Sequence, residues 1–173
     1  GVDIDWEYPG GGGANKTLGA SEDAANYALL MKDLREGLDA LSKETGRTYE
    51  LTSAVGCAPA RIKAVDYQAA MQHIDYIFAM TYDFYGAWSN DLGHMTGLYG
   101  TENNGSDAGF NASAAIDGLM AAGVPASKLV MGAAMYGRAW TGVTGFTPSG
   151  SPFTGMGGGA MKGSWEPGVL DYK

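Results

Sequence analysis

The sequence predicts an α/β fold built on parallel β-strands, and three observations support this class. Apolar strand-like segments alternate with helix-like segments in the order β-α-β-α-β-α-β. Strands separated by helices pair in parallel through right-handed crossovers. The 173 residues are 45% hydrophobic, enough for one domain with a sizeable core. A doubly wound sheet and part of a (β/α)8 barrel both fit this order, and in either fold functional groups gather at the carboxyl ends of the strands.

The first third of the chain contains the clearest elements. Residues 2–8 alternate apolar and acidic side chains, which is the period of a β-strand, and Pro9 ends the pattern. Ser21 is the expected N-cap of a helix that Gly46 terminates. The apolar residues of this helix recur at helical spacing: Tyr27, Leu30, Met31, Leu34, Leu38 and Leu41. Residues 49–55 are predicted to form the second strand.

The middle of the chain is less regular. Residues 60–74 form a weaker, alanine-rich helical stretch. Residues 76–82 are almost continuously apolar, so we expect a third strand that is buried on both faces. A long loop rich in Gly, Asn and Asp follows over about residues 86–110.

The last third is predicted to contain one more helix and strand before its texture changes. Asn111 is the expected cap of a helix that ends at Gly123, and residues 128–136 are predicted as a fourth buried strand. After Trp140 the sequence is rich in Gly, Thr, Pro and Ser with scattered aromatic residues. That composition indicates short antiparallel strands and loops.

Charge and composition exclude several classes of function. With 19 acidic and 11 basic residues the net charge is −8, and such a chain repels a phosphate backbone, so we expect no nucleic-acid partner. The apolar runs are too short for a membrane protein. A single cysteine, Cys57, excludes an intrachain disulfide and a cysteine-based metal cage. The chain starts and stops inside patterned segments without a signal peptide, so we expect a fragment of a larger protein.

Three carboxylates of the first strand share one face. Asp3, Asp5 and Glu7 are spaced at i, i+2 and i+4, and the rise of a strand places successive Cα atoms of this set roughly 6.6 Å apart. Carboxylates this close repel, and the repulsion is relieved when one keeps its proton. A carboxyl group protonated near neutral pH can act as a general acid, and Glu7 lies at the carboxyl end of the strand.

Two other interpretations of the acidic strand remain open at this point. The strand could simply be half exposed, with the acids in water and the residues between them, Val2, Ile4, Trp6 and Tyr8, facing the core; spacing alone favours this view. The three carboxylates could instead hold a divalent metal. Neither His73 nor His94 has an obvious metal-ligand spacing, so we disfavour a metal site.

Polar groups also follow the third and fourth strands. Tyr82 and Asp83 end the third, and Tyr136 and Arg138 end the fourth. Taken singly, the aromatic residues could belong to the core. Three consecutive strand ends that carry acid, phenol and guanidinium groups are harder to attribute to packing. Aromatic rings beside hydrogen-bonding carboxylates suit a sugar, which has apolar ring faces and a polar rim.

These segments resemble family 18 of the glycoside hydrolases. Residues 1–7 are similar to its signature Asp-x-x-Asp-x-Asp-x-Glu, with the first Asp lying one position before Gly1. Residues 80–83 match its Met-x-Tyr-Asp strand end, and residues 135–138 contain its Tyr-Gly-Arg segment. Order and spacing agree along the whole chain, and the likeness is greatest to bacterial chitinases of the A type.

The resemblance implies a (β/α)8 TIM barrel of which only about half is present. Residues 1–140 would hold strands four to seven, and residues 141–173 would begin a small α+β domain inserted after the seventh strand. Strands one to three and strand eight would be missing. Neither a cofactor nor a metal is implied.

The resemblance also implies residue roles. Glu7 would protonate the glycosidic oxygen while the substrate's own 2-acetamido oxygen acts as nucleophile, a substrate-assisted exception to the scheme with two carboxylates. Asp5 would hold the acetamido N–H, Asp3 would share its charge and proton, and Tyr82 would orient the acetamido oxygen. The implied substrate-binding residues are Met80, Asp83, Tyr136, Arg138, Trp165 and Glu166.

The implied activity is therefore hydrolysis of chitin and chito-oligosaccharides by a secreted, extracellular enzyme that we expect to be monomeric. A catalytically silent chitin-binding lectin on the same fold is the alternative, and Glu7 favours the enzyme. A nicotinamide-dependent enzyme would rest on residues 155–160, which match G-x-G-x-x-G/A. That segment follows no convincing strand and opens no helix, so we interpret it as a loop.

Overall fold

The computed structural model describes residues 1–101, 109–146 and 151–172. They fall into two compact units. The sheet unit comprises Gly1–Met80 and Ile116–Met131, and the second unit comprises Thr81–Ala115 and Gly132–Lys173. No helix among the described residues is long and apolar enough to cross a bilayer.

A four-stranded parallel sheet is the centre of the sheet unit. The strands are β1 (Val2–Asp5), β2 (Leu51–Gly56), β3 (Tyr76–Met80) and β4 (Leu129–Met131), and they pair in sequence order. Every neighbouring pair is parallel. The predicted α/β class with parallel strands is confirmed, and all four strands end at the same edge of the sheet.

The long helix α1 (Asp23–Thr45) follows the prediction at its end but not at its start. The N-cap position is Glu22 rather than Ser21, and its side chain makes no capping bond. Asp23 instead stabilises the turn before the helix, because its Oδ2 accepts hydrogen bonds from the backbone N–H groups of Gly10 and Ala20. Gly46 ends the helix in the left-handed conformation, with φ 69°, as predicted.

The predicted helix over residues 60–74 is two short helices. They are α2 (Pro59–Lys63) and α3 (Tyr67–Ala70). The side chain of Asp66 accepts a hydrogen bond from the N–H of Ala69 and thereby caps α3. A new N-terminus inside the stretch explains why one continuous helix does not form.

The third strand is not buried on both faces, so that prediction is wrong. Ile77 and Ala79 are buried, whereas Tyr76 and Phe78 are 39% and 38% exposed. The reason is that α1 packs on one face of the sheet only, where the hydroxyl of its Tyr27 donates to Ser53 of β2. The opposite face of β3 is left open.

The predicted buried strand over residues 128–136 is also wrong. A 3-10 helix (Ala126–Lys128) leads into β4, which is a short edge strand with exposed Val130 and Met131. Tyr136 belongs to a different sheet. The helix before β4, α4 (Ala112–Ala121), agrees with the prediction, because Oδ1 of Asn111 accepts from the N–H of Ala114 at 2.9 Å.

The second unit contains the short antiparallel strands that the sequence predicts after Trp140. Strand β5 (Tyr136–Arg138) pairs with β8 (Val169–Asp171), and β6 (Trp140–Thr141) pairs with β7 (Gly159–Ala160). A 3-10 helix covers Pro152–Thr154. The unit also includes residues from the predicted loop over 86–110, of which 102–108 lie outside the described residues. The domain boundary between residues 140 and 141 stays a prediction.

Candidate functional site

The row of three carboxylates runs along β1 to the carboxyl end of the parallel sheet. Asp3, Asp5 and Glu7 are exposed, and the alternating residues Val2, Ile4 and Trp6 are half buried. This alternation follows from the two-residue period of a strand. Regular pairing of β1 stops at Asp5, so Glu7 lies just beyond the strand, where the chain leaves the sheet.

Asp5, the central carboxylate of the row, has a raised pKa. Partial desolvation raises the pKa of Asp5, and the charge of Glu7, a hydrogen bond with Glu7 and the charge of Asp3 raise it further. After desolvation, the second physical cause is the position of Asp5, which has an acidic neighbour on each side.

Hydroxyl groups of β2 support β1 from both sides of the sheet. Thr52 is paired in register with Asp3, and its Oγ1 donates to Oδ1 of Asp3 at 2.6 Å. On the helix side, Ser53 donates to the carbonyl of Ile4 at 2.7 Å and accepts from the hydroxyl of Tyr27 at 2.8 Å. Burial, opposed by the bond with Ser53 and assisted by the charge of Asp3, raises the pKa of Tyr27 to about 12.

Tyr8 is part of the site rather than of the core, contrary to its place in the alternating pattern. Burial raises its pKa, as do its hydrogen bond with Glu7 and the charge of Glu7, while the charge of Arg61 opposes the shift. The guanidinium of Arg61 lies 4.2 Å from the centre of the Tyr8 ring. A Cβ atom on Gly56 would collide with that ring, which explains the glycine at the end of β2.

The glycine-rich loop after Tyr8 is fastened to the same arginine. Arg61 donates from Nη1 to the carbonyl of Gly11 at 2.6 Å and from Nη2 to the carbonyl of Gly12 at 3.2 Å. Gly13 packs so closely on the carbonyl of Glu7 that a side chain at this position has no room. The loop and the residues around Glu7 enclose a cavity of about 360 Å³. Arg61 therefore holds the backbone on one side of Glu7.

Of the other predicted site residues, only Met80 belongs to the sheet unit. It ends β3 in register with Gly56, so it shares the face of the sheet that carries Asp5. The remaining predicted residues lie in the second unit. Among them, Tyr82 and Tyr136 contact each other edge to face, with ring centres 6.2 Å apart.

A guanidinium–carboxylate pair organises the second unit's polar residues. Nε and Nη2 of Arg138 donate to the two carboxylate oxygens of Asp83 at 2.8 and 3.0 Å. Asp83 has a φ of 56°, the left-handed region that few residues other than glycine adopt. Burial raises the pKa of Tyr136, as does a hydrogen bond with Asp83, so this phenol remains a hydrogen-bond donor at neutral pH. Nη1 of Arg138 also lies 3.6 Å from Oε1 of Glu166.

The second unit also contains two exposed tryptophans. Trp165 is 86% exposed, and its Nε1 donates to Oδ1 of Asp171 at 2.8 Å. Trp88, which the sequence did not single out, is largely exposed and lies with its ring centre 5.0 Å from the guanidinium carbon of Arg138. An aromatic residue in a long loop carries no periodic signal, so only the structure brings it to the cluster.

The described residues support neither a metal site nor a dinucleotide-binding loop. No three His, Cys, Asp or Glu side chains there are grouped so that they could hold a metal ion. Residues 155–160 run into β7, an antiparallel strand, and no helix follows them in the part of the chain that the structure describes. A dinucleotide loop needs a helix N-terminus at this point.

Comparison with known sequences identifies close relatives along the whole chain. Residues 1–173 match the family described as Glycosyl hydrolases family 18. The chain is 50% identical to Chitinase A of Pseudoalteromonas piscicida over 197 residues, covering 100% of this chain and 24% of that protein. It is 49% identical to the Chitinase of Autographa californica nuclear polyhedrosis virus, covering 100% of this chain and 31% of that protein. The chain thus spans about a quarter to a third of these relatives.

Solved structures of a chitinase and of a family 18 enzyme have folds similar to that of this chain. The fold is similar to that of Chitinase ChiA74 from Bacillus thuringiensis, with a TM-score of 0.85 and 32% identity over 99% of this chain and 29% of that one. It is also similar to a glycoside hydrolase family 18 N-acetylglucosaminidase from Paenibacillus barengoltzii, with a TM-score of 0.83 and 32% identity over 99% of this chain and 48% of that one.

Proposed function

Because the chain belongs to family 18 of the glycosyl hydrolases, we propose that the protein hydrolyses chitin, the β-1,4-linked polymer of N-acetylglucosamine. The observation that carries the proposal is the row of Asp3, Asp5 and Glu7 at the carboxyl end of a parallel sheet, with a raised pKa on Asp5 beside Glu7. Strands β1 to β4 would be strands four to seven of a (β/α)8 barrel, and residues 141–173 would begin the inserted α+β domain.

The proposed reaction uses Glu7 as general acid and then as general base. Glu7 donates its proton to the glycosidic oxygen as the bond from that oxygen to the anomeric carbon breaks. The oxygen of the substrate's 2-acetamido group bonds to the anomeric carbon and forms an oxazolinium ion. Water then attacks the same carbon, the bond from that carbon to the acetamido oxygen breaks and restores the acetamido group, and Glu7 takes a proton from the water, so the configuration is retained. Family 18 is a known substrate-assisted exception among the glycosidases.

Asp5 is the proposed partner of the acetamido group. Its raised pKa favours a proton shared within the row, so Asp5 can hydrogen-bond Glu7 in one state and accept from the acetamido N–H in another. The charge on Asp5 and Asp3 would stabilise the positive oxazolinium ion. Only a sugar that carries an N-acetyl group can supply this nucleophile, so chitin is a substrate and cellulose is not.

All the proposed sugar-binding residues except Met80 belong to the second unit. Tyr82 would orient the acetamido oxygen. The residues that would contact the sugars are Met80, Asp83, Tyr136, Arg138, Trp165 and Glu166. The Arg138–Asp83 pair supports this role, because two of the five N–H groups fix the guanidinium on Asp83 and the others can donate to a substrate hydroxyl. We propose that the protein is secreted and monomeric, since an insoluble polymer must be attacked outside the cell.

The test is the variant Glu7→Gln in the full-length protein. We expect the rate of release of chitobiose from a chitin tetrasaccharide to fall by about 10²- to 10⁴-fold, since the acid–base group is lost, while binding of the tetrasaccharide is retained. Glu44→Gln, on the exposed surface of α1, is the matched control and should keep full activity. Unchanged turnover in Glu7→Gln would contradict the assignment. Binding without any turnover by the unaltered protein would favour the lectin.

A further inference from the structure

Thr52 of β2 makes a short side-chain hydrogen bond to the first carboxylate of the row. Its Oγ1 lies 2.6 Å from Oδ1 of Asp3, and the threonine is 8% exposed. An O–H···O bond to a charged acceptor has this length, whereas bonds between neutral groups are longer. The parallel register sets Thr52 directly beside Asp3, so the contact follows from the strand pairing.

Packing alone does not explain a hydroxyl at this position. A β-branched side chain suits a strand, but valine would satisfy that preference without a polar group. The neighbouring Ser53 is the instructive comparison, because its hydroxyl is fully buried on the helix side and bonds the backbone carbonyl of Ile4. The two adjacent hydroxyls thus serve opposite faces, and only that of Thr52 reaches the acids.

We propose that Thr52 is a positioning residue for catalysis, which fixes the carboxylate of Asp3 and stabilises its negative charge so that the shared proton of the row stays at Asp5, beside Glu7. The inference rests on the proposed function and deepens it. The charge of Asp3 is one of the causes of the raised pKa of Asp5, which agrees with this division of roles.

The titratable groups that interact with Asp3 determine which pKa values a pH profile of the activity will reflect. Asp5 on the same strand and Tyr27 on α1 are the titratable residues whose pKa values respond to the charge of Asp3 among the described residues. Strand β2 faces Asp3 with the hydroxyl of Thr52, which does not titrate. If that donor is removed, the row loses stabilisation of its negative charge and retains its proton to a higher pH.

The test compares Thr52→Val, which removes the hydroxyl at nearly constant volume, with Thr52→Ser, which keeps it. In the full-length protein, we expect Thr52→Val to lower kcat on a chitin tetrasaccharide about tenfold with KM within about twofold, because one charge-assisted bond is lost. The acidic limb of the profile of kcat/KM against pH should move to higher pH. Thr52→Ser should recover most of kcat and the original limb.

A double-mutant cycle shows whether the effect passes through Asp3. In an Asp3→Asn background, Thr52→Val should change the residual kcat less than about twofold, since the charged acceptor is already absent. Ser53→Ala is the structural control, and it should lower the unfolding temperature without moving the acidic limb. Should Thr52→Val not fold, Thr52→Ala also lacks the hydroxyl and takes its place.

Three results would overturn the inference. They are an unchanged kcat and acidic limb in Thr52→Val, equal losses in Thr52→Val and Thr52→Ser, and an undiminished effect in the Asp3→Asn background. Glu7→Gln is measured in the same series so that a failure of the role of Thr52 can be distinguished from a failure of the proposed function. If Glu7→Gln is inactive while Thr52→Val behaves as wild type, only the role of Thr52 is lost. If Glu7→Gln remains active, the proposed function itself is lost.

Discussion

Asp5 illustrates at the scale of one residue how a row of neighbouring carboxylates costs stability. Its pKa is raised in the folded state by desolvation and by the neighbouring acids, so the folded protein binds this proton more tightly than the unfolded chain does. The free energy of unfolding therefore decreases as the pH rises from the unfolded pKa, near 4, through the folded one, and the loss persists at neutral pH.

We expect Asp5→Asn to reverse this loss. The variant should be more stable than the wild type at pH 7 and indistinguishable from it at about pH 3, where Asp5 is protonated in both states. Its turnover should fall at the same time. Urea unfolding of the full-length protein at several pH values measures the difference, with Asp33→Asn on the exposed surface of α1 as control. A stability difference that does not change with pH would contradict the expectation.

The same scale shows which site residues the sequence could reveal. The row of Asp3, Asp5 and Glu7 was visible because the period of a strand is local. Arg61 and Thr52 were not visible, because they meet the acidic strand only through strand pairing and a cation–π contact across about 50 residues of sequence. The same locality explains why Tyr8 continues the alternating pattern of the sequence although the regular strand has already ended.

Two of the predicted helix ends were correct because they depend on local backbone signals. The predicted burial of two strands was wrong because burial depends on what packs against a strand. Gly46 and Asn111 act at helix ends through the backbone next to them, and both predictions are confirmed. The third and fourth strands were expected to be buried because they are apolar. Whether an apolar strand is covered depends on what packs against it, and the face of β3 that carries Tyr76 and Phe78 is open.

Gly37 within α1 and Gly46 just after it allow a matched test of the helix end. Both have free space where a Cβ atom would lie, but only Gly46 has a positive φ, of 69°. We expect Gly46→Ala to lower the free energy of unfolding by about 1 kcal/mol, because an L-residue is strained there. Gly37→Ala, within the helix, should raise it by about 0.5 to 1 kcal/mol. Chemical unfolding measures both, and equal signs would contradict the explanation.

At the scale of the whole molecule, residues 1–173 leave a parallel sheet incompletely protected. In the part of the chain that the structure describes, no strand pairs with the outer side of β1 or β4, and Tyr76, Phe78 and Val130 expose apolar surface. Parallel sheets are normally covered on both faces, and unpaired strand edges template association.

We therefore expect residues 1–173, produced alone, to self-associate at micromolar to millimolar concentrations and to bind a hydrophobic dye, because association buries this open face and pairs the strand edges. Light scattering over a dilution series measures the association. Replacing Phe78 by Thr should weaken dye binding. The relatives are about two to four times as long as this chain, so we expect the further residues of the full-length protein to cover the sheet and to keep that protein monomeric. A monodisperse monomer of residues 1–173 that binds no dye at about 1 mM would show that the exposed face needs no further cover.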